Sequence, residues 1–170
     1  GVDMEKRTLA VVSPSAGDGR THVCANLAIL FAQLGEPTLL IDADLRGGRV
    51  HALFGIDNTI GLSSHLSRRT TAAPVREVPG IDYLHVLPCG PLPPNPQELL
   101  SRAQFALLLE ELAHVYAYIL IDTPAATLGE LCYRQLLVWL EILQISTLVI
   151  RARDLMLHGN KSELVLSMCQ

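Results

Sequence analysis

Apolar residues in this chain fall into short unbroken runs, separated by stretches of helical periodicity. Leu9-Ala10-Val11-Val12, Leu39-Leu40-Ile41, Ile119-Leu120-Ile121 and Leu148-Val149-Ile150 are four such runs. Runs of this length without polar alternation suit strands covered on both faces, as in a parallel sheet. The pattern predicts strand 8–13, helix 20–34, strand 37–42, a loop-rich stretch 43–80, strand 82–88 and helix 97–114. Strand 116–122, helix 129–144, strand 146–151 and helix 160–168 follow. This alternation predicts an α/β fold, a doubly wound and mostly parallel sheet with helices on both faces. Local signals agree. Gly35 can end the first helix in a left-handed conformation, and Pro37 opens the next strand, where its missing donor is tolerated. Asn95, Pro96 and Glu98 form a helix start: a cap, a first-position proline and a first-turn acid.

Polar residues matter most where the strands stop. After the first strand comes Ser13-Pro14-Ser15-Ala16-Gly17-Asp18-Gly19-Arg20-Thr21, leading into a helical pattern. Strand, glycine-rich turn and helix start make a phosphate cradle: backbone N–H groups and the helix N-terminus face an anion. The match to a strict P-loop is incomplete, because Pro14 stands where Gly is wanted and Arg20 where Lys is wanted. The second strand ends in Asp42-Ala43-Asp44-Leu45-Arg46, and a later one ends in Asp122-Thr123-Pro124. Ligands of such sheets bind beyond the carboxyl ends of the strands, so these three segments should converge on one rim. Carboxylate and hydroxyl oxygens are the ligands that Mg²⁺ takes.

Composition narrows the alternatives. The 170 residues are 49% hydrophobic and 18% charged, with a net charge of −4. That describes a compact globule, read as one domain over 1–170, and excludes a disordered chain. No basic run is long enough for sequence-independent nucleic-acid binding, so no nucleic-acid partner is expected. Cys24, Cys89, Cys132 and Cys169 are scattered, with no CxxC and no His at zinc-ligand spacing, and read as free thiols in a reducing compartment. The most lipid-like stretch, Leu131 to Ile150, contains Arg134 and Glu141, which argues against a membrane span. No signal peptide is visible, and Gly1-Val2-Asp3-Met4 reads as the start of a piece cut from a longer protein.

The segments SPSAGDGRT, LLIDADLR, PLPPNPQELL and ILIDTPA together resemble the cytoplasmic tyrosine autokinases of bacterial exopolysaccharide synthesis, over about residues 7–125. These kinases are P-loop NTPases related to the chromosome-partition and septum-placement ATPases. The resemblance implies that Ala16, Gly17, Asp18, Gly19, Arg20, Thr21 and His22 bind the phosphates of ATP or ADP. It implies that Thr21, Asp44 and Asp122 organise Mg²⁺. It makes Asp42, Arg20 and Asp44 the catalytic set, with Asp42 taking the proton from an attacking tyrosine hydroxyl. It also implies a cytoplasmic location at the inner face of the plasma membrane, through a membrane-embedded chain-length regulator that activates the kinase. Homo-oligomerisation stays open.

The chain departs from the family in two ways. Arg20 keeps the charge of the family's lysine but offers a planar fork. The tyrosine-rich tail is missing, and Tyr116 and Tyr118 border a buried strand, so they read as structural and the acceptor as lying elsewhere. Two other functions therefore stand beside the kinase: a partition-type switch that hydrolyses ATP with water, and a catalytically weak nucleotide-sensing subunit of a membrane polysaccharide assembly.

Overall fold

The computed structural model describes residues 7–13, 17–125, 138 and 147–151. The helices expected at 129–144 and 160–168 lie outside the described residues, apart from Val138. The elements run β1 (Arg7–Val12), α1 (Arg20–Gln33), β2 (Thr38–Asp42), α2 (Val50–Phe54), α3 (Leu62–Leu66), β3 (Arg76–Glu77) and β4 (Leu84–Leu87). α4 (Pro96–Ser101), α5 (Ala103–Ala113), β5 (Tyr118–Asp122) and β6 (Thr147–Arg151) complete them.

The strands form one sheet in the order β3-β4-β2-β5-β1-β6. All neighbouring pairs are parallel except β3 with β4. Side chains along each strand alternate between two cores, as the pleat requires. Leu39, Ile41, Ile119 and Ile121 face α3, α4 and α5, whereas Leu40, Leu120, Leu9 and Val11 face α1. The doubly wound arrangement read from the sequence is therefore the one present.

The two cores are built differently. α1 packs through Cys24, Ala25, Ala28 and Ala32, while its larger Leu30 and Leu34 face outward. Small side chains let the helix lie close against the strands, and the larger Val23, Leu27, Ile29 and Phe31 pack at the margins of the same core. α1 then ends as expected. Gly35 has φ 83°, its N–H bonds to Ala32 O at 2.9 Å, and Glu36 N–H bonds to Phe31 O at 3.3 Å, the paired bonds of a Schellman ending.

The opposite core is filled by large side chains, and the single helix expected at 97–114 is broken to fill it. Arg102 has an extended backbone, φ −71° and ψ 144°, between α4 and α5. At about 100° per residue in an unbroken helix, Leu99 and Leu100 would lie opposite Phe105, Leu108, Leu109 and Leu112. The break turns both sets inward, and all six are buried. Ser101 assists by donating its hydroxyl to Glu98 O at 2.8 Å. The stretch 43–80 also holds more structure than loops: two one-turn helices and β3, the antiparallel strand at the sheet edge.

Candidate phosphate and metal site

β1, β2 and β5 all end on the same rim of the sheet, and their register sets the geometry there. Asp42 and Asp122 are direct partners across the β2–β5 pairing. Both are almost fully buried, at 0% and 1% exposure. Ala43 N–H continues the ladder to Asp122 O at 2.9 Å.

Asp42 is wrapped by the loop that follows it. Its Oδ1 accepts from Asp44 N–H at 3.2 Å, and its Oδ2 accepts from Val50 N–H at 3.1 Å. Gly48 lies against the same carboxylate, and a Cβ there would fall 2.5 Å from both oxygens. The turn is held by Asp44, whose carbonyl accepts from Gly48 N–H at 2.8 Å and whose Oδ1 accepts from Arg46 N–H at 3.2 Å. No spacing rule flags Gly48 or Val50. The glycine doublet after Arg46 is the only sequence hint.

Asp122 has different company. The hydroxyl of Thr21, from the first turn of α1, hydrogen-bonds its carboxylate, and the Arg20 guanidinium lies near enough to favour its charge. Its Oδ1 is buried with no hydrogen-bond partner among the described residues. Arg20 is itself buried and acts as a strut: Nε donates to Thr123 O at 2.9 Å and Nη1 donates to Ser13 Oγ at 2.6 Å. Thr123 closes the set by donating its hydroxyl to Val11 O at 2.8 Å. The ends of β1 and β5 and the start of α1 are thus fastened together. Ser13 and Thr123 were not singled out from sequence, although both directly follow the strand ends that were.

Two buried carboxyls side by side resist ionising together. Burial pushes Asp42 up to about 8, and the Asp122 charge adds to the effect, against the pull of the Val50 N–H. Burial lifts Asp122 to about 6, opposed by Thr21 and Arg20. Near neutral pH the pair therefore resists losing both protons, Asp42 more strongly than Asp122. Beneath them, Cys24 is held as a thiol, first by burial and then by the charges of Asp122 and Asp42.

Gly17 and Gly19 carry φ of 85° and 78°, so the turn into α1 uses the left-handed backbone that glycine supplies. Gly17 and His22 are exposed, and Asp18 is half-buried beside the same turn. Ala16 lies outside the described residues. The rim therefore gathers Arg20, Thr21, Asp42, Asp44 and Asp122 around the N-terminus of α1. The donor set fits Mg²⁺, since it is built of hard oxygens and includes one buried carboxylate oxygen with no other partner. Tyr116 and Tyr118 are structural, as expected: Tyr116 OH lies 2.7 Å from His85 Nδ1, and Tyr118 stacks on Phe31 with ring centroids 4.1 Å apart.

Comparison with known proteins bears on the fold and the family. No family profile matches the chain. The tyrosine-protein kinase YwqD of Bacillus subtilis (strain 168) is 40% identical over 123 residues, 72% of this chain and 52% of YwqD. The chain thus spans about half the length of that relative. The crystal structure of the VpsO kinase domain superimposes with a TM-score of 0.72 at 31% identity, covering 88% of this chain and 71% of that domain. The septum site-determining protein MinD from Pyrococcus horikoshii OT3, solved with Mg-ADP, shares the fold, with a TM-score of 0.66 at 24% identity over 79% of this chain and 54% of MinD. With a P-loop NTPase-like fold and these relatives, the chain belongs to the bacterial tyrosine-protein kinase family.

Proposed function

We propose that this chain is the nucleotide-binding unit of a longer protein that transfers the γ-phosphoryl group of ATP to a tyrosine hydroxyl. The observation that carries the reading is the Asp42–Asp122 pair, set in register beside the glycine turn and the start of α1. Phosphoryl transfer asks mainly for positioning and charge neutralisation, and this rim has the parts for both. Backbone N–H groups of the 16–21 turn and the α1 N-terminus receive the phosphates, with Asp18 and His22 bordering them.

Thr21, Asp44 and Asp122 would hold Mg²⁺, which when bound supplies positive charge to the β- and γ-phosphate oxygens. Arg20 meets the same oxygens by exchanging its bonds to Ser13 and Thr123 for bonds to phosphate. Asp42 is the base. A tyrosine hydroxyl has an ordinary pKa near 10, and a carboxylate raised to about 8 is a far better acceptor for its proton than an ordinary one. A proton held on Asp42 must first leave, and the positive charge of Mg²⁺ held beside it would favour its loss.

In the cell this activity would regulate exopolysaccharide synthesis, chain length and export, at the cytoplasmic face of the membrane and under a membrane-embedded regulator. Among the described residues no helix is long and apolar enough to cross a membrane. The placement of Arg20 supports a second reading. A guanidinium already spent on Ser13 and Thr123 suits a nucleotide sensor that binds without turnover.

The test is incubation with Mg²⁺ and γ-labelled ATP, alone and beside a membrane regulator. Labelled phosphotyrosine is expected. Release of free phosphate without phosphotyrosine would favour the partition-type switch, and tight binding without either would favour the sensor.

A further inference from the structure

The fold brings together three side chains that no sequence spacing connects. Asp42 ends β2, His51 lies in the first turn of α2, and Cys89 follows β4, the strand beside β2. One carboxylate oxygen, one ring nitrogen and the thiol sulfur all lie within 4.8 Å of one another. A tetrahedral Zn²⁺ with bonds of about 2.0–2.3 Å sets its ligands about 3.3–3.8 Å apart, so small rotations of the imidazole and thiol close the set.

Two of the three positions are already fixed by the backbone. Asp42 is held through Val50 N–H, and the Cys89 carbonyl accepts from Ser63 N–H at 2.9 Å. The next residue is pinned as well, with Gly90 N–H donating to Asn58 Oδ1 at 2.7 Å. One polar atom of the cluster is left over. His51 Nδ1 is buried without a hydrogen-bond partner among the described residues. The Cys89 sulfur lies among weak polar partners, 3.4 Å from Gly90 O, 3.6 Å from Asn58 Oδ1 and Nδ2, and 3.9 Å from Gly48 O. His51 and Cys89 also line an open cavity of about 470 Å³ with Gly48, Arg49, Asn58 and Leu92, which leaves room for a fourth ligand such as water.

We propose that Asp42, His51 and Cys89 form a binding site for a borderline-soft divalent cation, Zn²⁺ in the first instance, which shuts the kinase down by occupying the Asp42 carboxylate. A thiolate–imidazole–carboxylate set selects Zn²⁺ over Mg²⁺, which keeps to oxygen ligands in octahedral geometry. On binding, the Cys89 S–H proton and any proton held by the Asp42 carboxyl go to solvent, and metal–sulfur and metal–oxygen bonds take their place. The site rests only on the three side chains. Its inhibitory effect rests on the reading of Asp42 as the base.

The experiment is equilibrium dialysis of the full chain against Zn²⁺ alone, with a Co²⁺ titration followed by near-ultraviolet and visible absorption. One equivalent should bind, with a thiolate-to-cobalt charge-transfer band, and an excess of Mg²⁺ should not displace it. Losing even an outer partner of a metal ligand costs about 10- to 100-fold, so Cys89→Ser should weaken Zn²⁺ by about 100-fold or more and remove the band. His51→Gln, at a half-exposed position, gives the same test should Cys89→Ser fold poorly. Equal Zn²⁺ binding in the wild type and both variants, or Co²⁺ binding without a thiolate band, overturns the site. Phosphotyrosine formation, scaled to each protein's own metal-free rate, separates the two ideas. Zn²⁺ bound with the band but without inhibition leaves the site standing and removes Asp42 from the role of base.

Discussion

Asp42 and Asp122 occupy matching positions on adjacent parallel strands, and the chain surrounds them with unlike groups. Asp42 receives two backbone N–H bonds and the bare face of Gly48. Asp122 receives a hydroxyl, a nearby guanidinium and one oxygen left without a partner. The difference teaches how one pair of carboxyls divides its work. The member with fewer opposing charges keeps its proton longer and is suited to proton transfer. The member beside cation and hydroxyl ionises first and is suited to holding metal.

The sharpest way to break this division is to neutralise each carboxyl separately. Asp42→Asn should lower the rate of phosphotyrosine formation by about 10²–10⁴-fold, the usual worth of a positioned base, while ADP affinity measured by calorimetry changes little. Wild-type-like autophosphorylation by this variant would dismiss Asp42 as base. Asp122→Asn should do the reverse, weakening Mg²⁺-dependent nucleotide binding by about 10- to 100-fold. Equal nucleotide affinity with and without Mg²⁺ in the wild type would refute the metal role.

Acidity tests the same contrast without mutation. Both folded carboxyls sit above the value of about 3.9 expected when unfolded, so the folded chain binds extra protons between about pH 4 and pH 8. Their stabilising contribution is complete below that window and is lost as pH rises through 6 and then 8. In chelator, urea titrations should show a loss of about 4 kcal/mol between pH 5.5 and pH 8.5, and Mg²⁺ should restore part of it at the upper end. A stability that is flat or rising over this range would show that the pair is not strained. The smallest effect is expected from Gly48→Ala. Its methyl must displace the Asp42 carboxylate, which should cost about 1–3 kcal/mol by denaturant titration and lower the rate at unchanged ADP affinity.

Much of this site was legible before any coordinates. A strand that is apolar until its last residue announces a carboxylate at a sheet rim, and Asp42 and Asp122 both follow that rule. The glycines at 17 and 19 announced a turn leading into a helix, and the structure adds that both use left-handed backbone. What stayed hidden depends on which strands become neighbours. β4 lies next to β2, so Cys89 reaches Asp42, and local sequence carries no trace of that adjacency. Arg20 illustrates a different gap. Its charge was readable, but its fastening to Ser13 and Thr123 exists only once β1 and β5 have paired. The break at Arg102 was hidden for a similar reason. Either half of 97–113 makes a sensible helix, and the mismatch of their apolar faces matters only once both must pack on one core.

β3 has a consequence beyond the site. A parallel sheet that simply stopped at β4 would offer a row of unused N–H and C=O groups to any passing chain. The antiparallel pairing of Arg76 and Glu77 occupies that flank with a strand of two residues, both charged. So short and ionic a border gives a foreign strand almost nothing to zip onto, and on this side the protein is guarded against edge-to-edge aggregation.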